Sequence, residues 1–456
     1  MRVLAELRAY ALEKGHALAV LYHEEDSCLM RCANSAVSLN TSEHLIRLVI
    51  TAFDGKRRAG FELVTDLGKT EEMRQAIDAA ADLARHASPL NYRPTLPLYA
   101  DSFADESGWD NDLARMDNNE RLHYFNQAVA GLESGGLKLS GIFSSGTTTI
   151  AQINTRSPHI QYFRTSDAQA TVVLAHAKLK WEVIAEQSAH RRSDLDPAAL
   201  RRDLVFMTER YRNDAARKIP LGRYTIVFGA AATAAMLNVL NWIGFNGGLM
   251  KRGYSFLKAE DVGRRVFSEK FTLTDDPGHP ETFPFRRDFT GIPRKKWPIF
   301  DAGVFQGFVW PQDDSDEFGA TATGHTVNHS SLVLRGGDRP VSTPEELAAM
   351  PRDKDLLYIP YLHYLNIVDP SRGRITASSR FGALLLKRDG SVAVPYNVRL
   401  TQSLPDIFGD KLDWLSESVI PYNVSNSYGP RNPTAVIVPN FLCVENLEIS
   451  HANAAY

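Results

Sequence analysis

The sequence predicts an α+β protein in two parts: an N-terminal sheet with packed helices over residues 1–219, and a largely antiparallel β domain around a buried helix over residues 220–456. Three observations lead there. Helical periodicity is concentrated in the first half, the segment Lys218-Ile219-Pro220-Leu221-Gly222 breaks the pattern, and from Phe271 onward the chain reads as strands and turns.

Residues 3–15 have the spacing of a short amphipathic helix. The next fifty alternate apolar and polar residues, and Asp54-Gly55 marks a hairpin turn between His44 and Asp66. Met73, Ile77, Ala80 and Ala84 recur at helical spacing within a helix from Thr70 to His86, with Glu71 and Glu72 at its positive end. Prolines 89, 94 and 97 lead into an acidic stretch, Asp101 to Asp112, read as an exposed connection. A second helix places Leu122, Phe125, Val129 and Leu132 on one stripe, ending at Gly135 and Gly136. Strands follow in Phe143–Asn154 and Tyr162–Glu182. A third helix opens with Asp196-Pro197 and aligns Leu200, Leu204, Met207 and Tyr211. Past the break comes the β-branched run Tyr224 to Phe228. Ala230 to Ile243 then has hardly a polar face, which predicts a helix buried on all sides.

The length of 456 residues suits more than one cooperative core. A formal net charge of −3 gives no electrostatic drive toward nucleic acid or an anionic membrane. Three cysteines, Cys28, Cys32 and Cys443, cannot make a disulfide framework and suit a reducing compartment. With no apolar run long enough to span a bilayer and no secretory pattern at the start, a cytoplasmic location is expected.

Few residues carry a chemical signal by themselves. His325 and His329 are four apart, which is metal-ligand spacing on a helix. Their Thr-, Val- and Asn-rich surroundings favour a strand, where the two would lie ~13 Å apart. A structural or peptide-contacting role is the simpler reading, with His363 and the acidic run Asp313 to Glu317 as further ligand candidates that no spacing demands. Asp275-Asp276 precedes Pro277 and reads as a turn. His23-Glu24, the one His-Glu dipeptide, reads as surface polar residues. No nucleophile elbow, Walker A loop or dinucleotide fingerprint occurs.

Several separated phrases resemble the TldD/PmbA family. They are Gly222-Arg223-Tyr224-Thr225-Ile226-Val227, Gly253-Tyr254-Ser255-Phe256, Phe271 to Pro277, Asp288-Phe289-Thr290-Gly291, Gly303 to Gly307, Thr323-Gly324-His325 and Pro439 to Ile449, with Leu45–Leu67 and Ile153-Asn154-Thr155 in the first half. The resemblance implies a pair of subunits, one with zinc on an HExxxH helix and one without. Aligned on that helix, Asn241 and Asn246 stand in place of the histidines and Trp242 in place of the glutamate, and no His or Glu occurs between Tyr224 and Lys258. An amide is a poor zinc ligand and an indole is no general base. The resemblance therefore implies a TldE-like chain without catalytic residues or cofactor of its own. Zinc would sit in a TldD-type partner, and the pair would cleave unfolded peptides. It also places Ser378-Ser379-Arg380-Phe381-Gly382 near a peptide channel, making Arg380, with His325, His329 and His363, a candidate peptide contact. Two alternatives remain: a stand-alone peptidase with a different site, and a homodimer that binds a peptide or small ligand without cutting it.

Overall fold

The computed structural model describes residues 2–213, 215–283, 285–327, 330–425 and 430–453. Helix α1 (Arg2–Glu13) precedes three antiparallel strands, β1 (Ala17–Ala33), β2 (Ala36–Asp54) and β3 (Arg57–Thr65). Asp54 pairs with Arg57 across the predicted turn, where Gly55 takes the positive φ of 61° that a two-residue hairpin needs. Helix α2 (Thr70–His86) buries Met73, Ile77, Ala80 and Ala84 as their spacing predicts. After it come β4 (Phe103–Gly108), α3 (Asn118–Val129), β5 (Leu137–Asn154), β6 (Ser157–His176), β7 (Trp181–Ala189) and α4 (Pro197–Asn213).

The seven strands form one sheet in the order β3-β2-β1-β5-β6, with β4 and β7 each paired to β6. Strands β1, β2, β5 and β6 are 17 to 20 residues long, so they reach roughly 60 Å, about three times a usual strand. One sheet therefore serves two cores. At one end α1 and α2 pack Leu4, Leu7, Met73 and Ile77 on Leu48, Ile50 and Ile153. At the other, α3 and α4 pack Tyr124, Phe125, Leu200 and Leu204 on Phe143, Val172 and Val183.

Three local expectations are corrected. The acidic stretch contains β4, paired parallel to β6, with Asp105 buried and bound by Arg286 at 2.9 Å. Helix α3 ends at Val129 and buries Phe125 and Val129 as predicted, but Leu122 is exposed, while Arg121 is buried and donates to the Met116 carbonyl at 2.6 Å. His23 is buried as well, donating through Nε2 to the Arg431 carbonyl at 2.6 Å. That bond belongs to a clamp in which Arg431 holds Asp167 with two bonds of 2.7 Å and its N–H meets Glu25 at 2.6 Å, tying the C-terminal half to the first sheet.

The second half holds two sheets. A nine-stranded one is built around β8 (Gly222–Gly229), which has Leu356–Ile359 parallel on one side and Phe441–Asn453 antiparallel on the other. A six-stranded one includes Leu273–Asp275, Trp297–Asp301, Leu332–Leu334, Val419–Asn423 and Ala435–Pro439. Helix α5 (Ala230–Ile243) touches strands of both. Alternation on β8 explains the arrangement: Ile226 and Phe228 face the α5 core, while Val227 faces the core shared with α4. Both faces of the strand are covered, so it reads as a continuous apolar run. The expectation that α5 is buried all round is corrected too, because Asn238 and Trp242, four apart on one stripe, reach solvent.

Candidate functional site

Helix α5 stops at Ile243, and Gly244 follows because a Cβ there would stand 2.5 Å from the Leu240 carbonyl oxygen. The three positions singled out in sequence thus divide among three tasks. Asn241, 1% exposed, donates through Nδ2 to the Val327 carbonyl at 3.0 Å and to Ser330 Oγ at 3.1 Å. Trp242 is half exposed. Asn246 lies beyond the helix and caps the short helix α6 (Gly247–Lys251), accepting from the Leu249 N–H at 2.9 Å. A zinc ion needs neutral imidazole, thiolate or carboxylate donors converging at about 2 Å. These amides are committed to the backbone, and no group of three His, Cys, Asp or Glu converges among the described residues. The residues at this helix do not fit zinc.

His325 sits nearby in a buried ion-pair cluster. Its Nδ1 lies 2.5 Å from Asp275, whose other oxygen accepts from Arg294 at 2.9 Å and from the Ser331 N–H at 2.7 Å. Burial alone would raise the Asp275 carboxyl, but the Arg294 guanidinium, His325 and the Ser331 N–H outweigh it and hold the group at about 2. Asp275 is therefore the end of a strand and a buried anchor, where sequence suggested a turn. His325 lies in a loop, where the sequence suggested a strand, and is 1% exposed, so in this conformation it is a buried support closed to a peptide. His329 lies outside the described residues. The acidic run predicted as possible ligands forms the helix Gln312–Phe318, where Asp314 and Glu317 both bind Arg252.

His363 and Arg380 do come together. Arg380 donates to His363 Nε2 at 3.1 Å and through Nε to Glu182 on β7 at 3.1 Å, with its guanidinium over the Phe381 ring. Burial and then the Arg380 charge push the His363 pKa down, so its ring is neutral and accepts the bond. Arg380 is thus committed to an acid of the first sheet, and the pair joins the two halves of the molecule.

Sequence reading missed a second place, at the opposite end of α5. A cleft of about 150 Å³ lies between β7, α4 and the first residues of α5. Glu186 and Asp203 both line it, with Tyr358, Tyr361 and Tyr422. Tyr422 donates its hydroxyl to Glu186, which also accepts from Thr171 at 3.1 Å. Burial, reinforced by the charge of Glu345, pushes the Asp203 carboxyl up to about 6. One signal was available: Asp203 falls on the Leu200, Leu204, Met207 stripe of α4, where an apolar residue is expected.

The fold and the helix at its centre define a class. Residues 221–451 match the model of the PmbA/TldA metallopeptidase C-terminal domain. The chain belongs to the TldD/PmbA family. It is similar in structure to TldE from Thermococcus kodakarensis, with a TM-score of 0.83 at 17% identity over 98% of this chain and 100% of that one. A chain from Bacteroides thetaiotaomicron described as a candidate modulator of DNA gyrase gives 0.80 at 16% identity, covering 98% of each. A similarly described chain from Thermotoga maritima gives 0.75 at 14% identity, covering 98% of this chain and 99% of that one. No curated protein matches by sequence. No helix among the described residues is long and apolar enough to cross a membrane.

Proposed function

We propose that this chain is the zinc-free, TldE-like subunit of a two-chain peptidase, and that a TldD-type partner supplies the metal that cleaves unfolded peptides. The observation that carries this reading is the engagement of Asn241 and Asn246, with an indole between them, in a body otherwise like the family's. The edge strand Leu362–Asp369 also favours it. That strand ends the nine-stranded sheet and leaves Tyr364, Ile367 and Val368 exposed, an apolar edge that proteins usually cover. A partner chain would cover it, and this subunit would shape the chamber in which extended peptides are held by main-chain bonding.

The test is purification of the chain from its native host, followed by metal analysis and a peptidase assay. A 1:1 complex with a chain containing HExxxH, zinc in that chain and activity only in the pair are expected. Stoichiometric zinc and activity in this chain alone would instead establish a stand-alone peptidase. A homodimer that binds peptides without cutting them would establish the binding-protein alternative.

A further inference from the structure

The cleft at the start of α5 has a one-sided chemistry. Its lining holds two carboxylates and three tyrosines, and among the described residues no lysine, arginine or histidine. Glu186 already accepts two hydroxyl bonds, whereas Asp203 has neither a hydrogen bond nor an ion pair with any described side chain. Tyr358, only 6% exposed, lines the same space with its hydroxyl unpartnered among the described residues. That hydroxyl lies 3.4 Å from where a Cβ on Gly229 would stand, which puts it beside the N-cap of α5. Asn440, also in the lining, has a buried side-chain oxygen with no partner. Acceptors thus outnumber donors, and aromatic rings flank them, an arrangement that attracts an alkylammonium.

The same cleft also meets the start of a helix. Gly229 provides no side-chain cap to α5, a helix of 14 residues; the Ala232 N–H donates to the Pro360 carbonyl at 3.3 Å, and the cleft is lined by the cap Gly229 with Ala230 and Ala231 of the first turn. The positive end of a helix favours an acceptor oxygen. An ammonium with a carbonyl oxygen three bonds further on is the group that satisfies both sides, and the start of a peptide chain is such a group. We propose that this cleft receives the free amino terminus of a peptide, with the ammonium at Asp203 and Tyr358 and the first carbonyl oxygen at the start of α5. The proposal deepens the peptide-handling reading above and rests on it, naming the end of the peptide that is held.

Calorimetry on the isolated full chain, with tetra-alanine amide and its N-acetylated counterpart at pH 7.5, tests it. The free peptide should bind, and acetylation should weaken binding about tenfold or more, because it removes the charge that Asp203 meets. Asp203→Asn should weaken binding of the free peptide by a similar factor, and Tyr358→Phe should weaken it less. Folding of both variants is checked by circular dichroism. Equal binding of the two peptides, an unchanged affinity in Asp203→Asn, or no binding of the free peptide at millimolar concentration would each overturn the proposal. No partner is needed, so the two readings separate: a complex without amine selectivity removes the site and keeps the subunit role, and selectivity without a zinc partner does the reverse.

Discussion

At the C-terminal end of α5, Asn241 and Asn246 are bonded to the chain around them and Asp275 binds three neighbours, whereas at the N-terminal end Asp203 and Tyr358 find no hydrogen-bond partner among the described residues. One helix thus joins a sealed polar cluster to an open acidic cleft. At the sealed end these side chains hold the fold together. What the difference teaches is where a ligand can enter: His325 and Arg294 are buried at the sealed end, whereas Asp203 and Tyr358 line a cleft.

The largest test of this contrast is Asp275→Asn. It leaves the buried Arg294 without a counter-charge and should cost about 3–5 kcal/mol, read by urea unfolding. A loss below about 1 kcal/mol would mean that the sealed end is not held by this cluster.

The two ends should also respond to pH in opposite directions. Asp275 has a folded pKa of about 2, below its unfolded value of about 3.9. Its contribution, on the order of 2 kcal/mol, is present above pH 4 and lost as pH falls toward 2. Asp203 has a folded pKa of about 6, above the unfolded value, so the fold favours its protonated form and loses that contribution as pH rises through 6. Asp203→Asn should therefore stabilise the chain at pH 8 by about 1 kcal/mol and leave it nearly unchanged at pH 4. Thermal melts at the two pH values would show this, and equal shifts at both would sink the assignment.

Smaller effects sharpen the division of labour around the helix end. Asn241→Ala removes two donor bonds inside the protein and should cost about 1–2 kcal/mol. Asn246→Ala removes a cap from a five-residue helix and should cost about 1 kcal/mol. Trp242→Ala, on the exposed stripe, should stay within about 0.5 kcal/mol in the same denaturation assay. If Trp242 proved the costliest of the three, these roles would be misassigned.

Much of the frame was legible in the residues. The helices α1, α2 and α4 followed from apolar spacing, and the β2–β3 hairpin from Asp54-Gly55, because these signals are local and set by backbone period and turn sterics. The absence of zinc donors between Tyr224 and Lys258 was equally plain, since side-chain chemistry is written in the sequence itself. The faces of α3 and α5 were read less well. Arg121 is buried because Met116 and Ser145 accept from it, and Trp242 is exposed because the two sheets leave one stripe of α5 uncovered.

Only the tertiary structure decided which polar residues meet. Asp275 finds His325 fifty residues away, His23 meets Arg431 across 408, and Asp203 joins Tyr358 and Glu186 in one cleft. No local period records such pairings, because they depend on how three sheets and one helix pack. The sequence by itself determined that α5 and its flanks, from Tyr224 to Lys258, carry no histidine or glutamate. The packing decided that its far end is open.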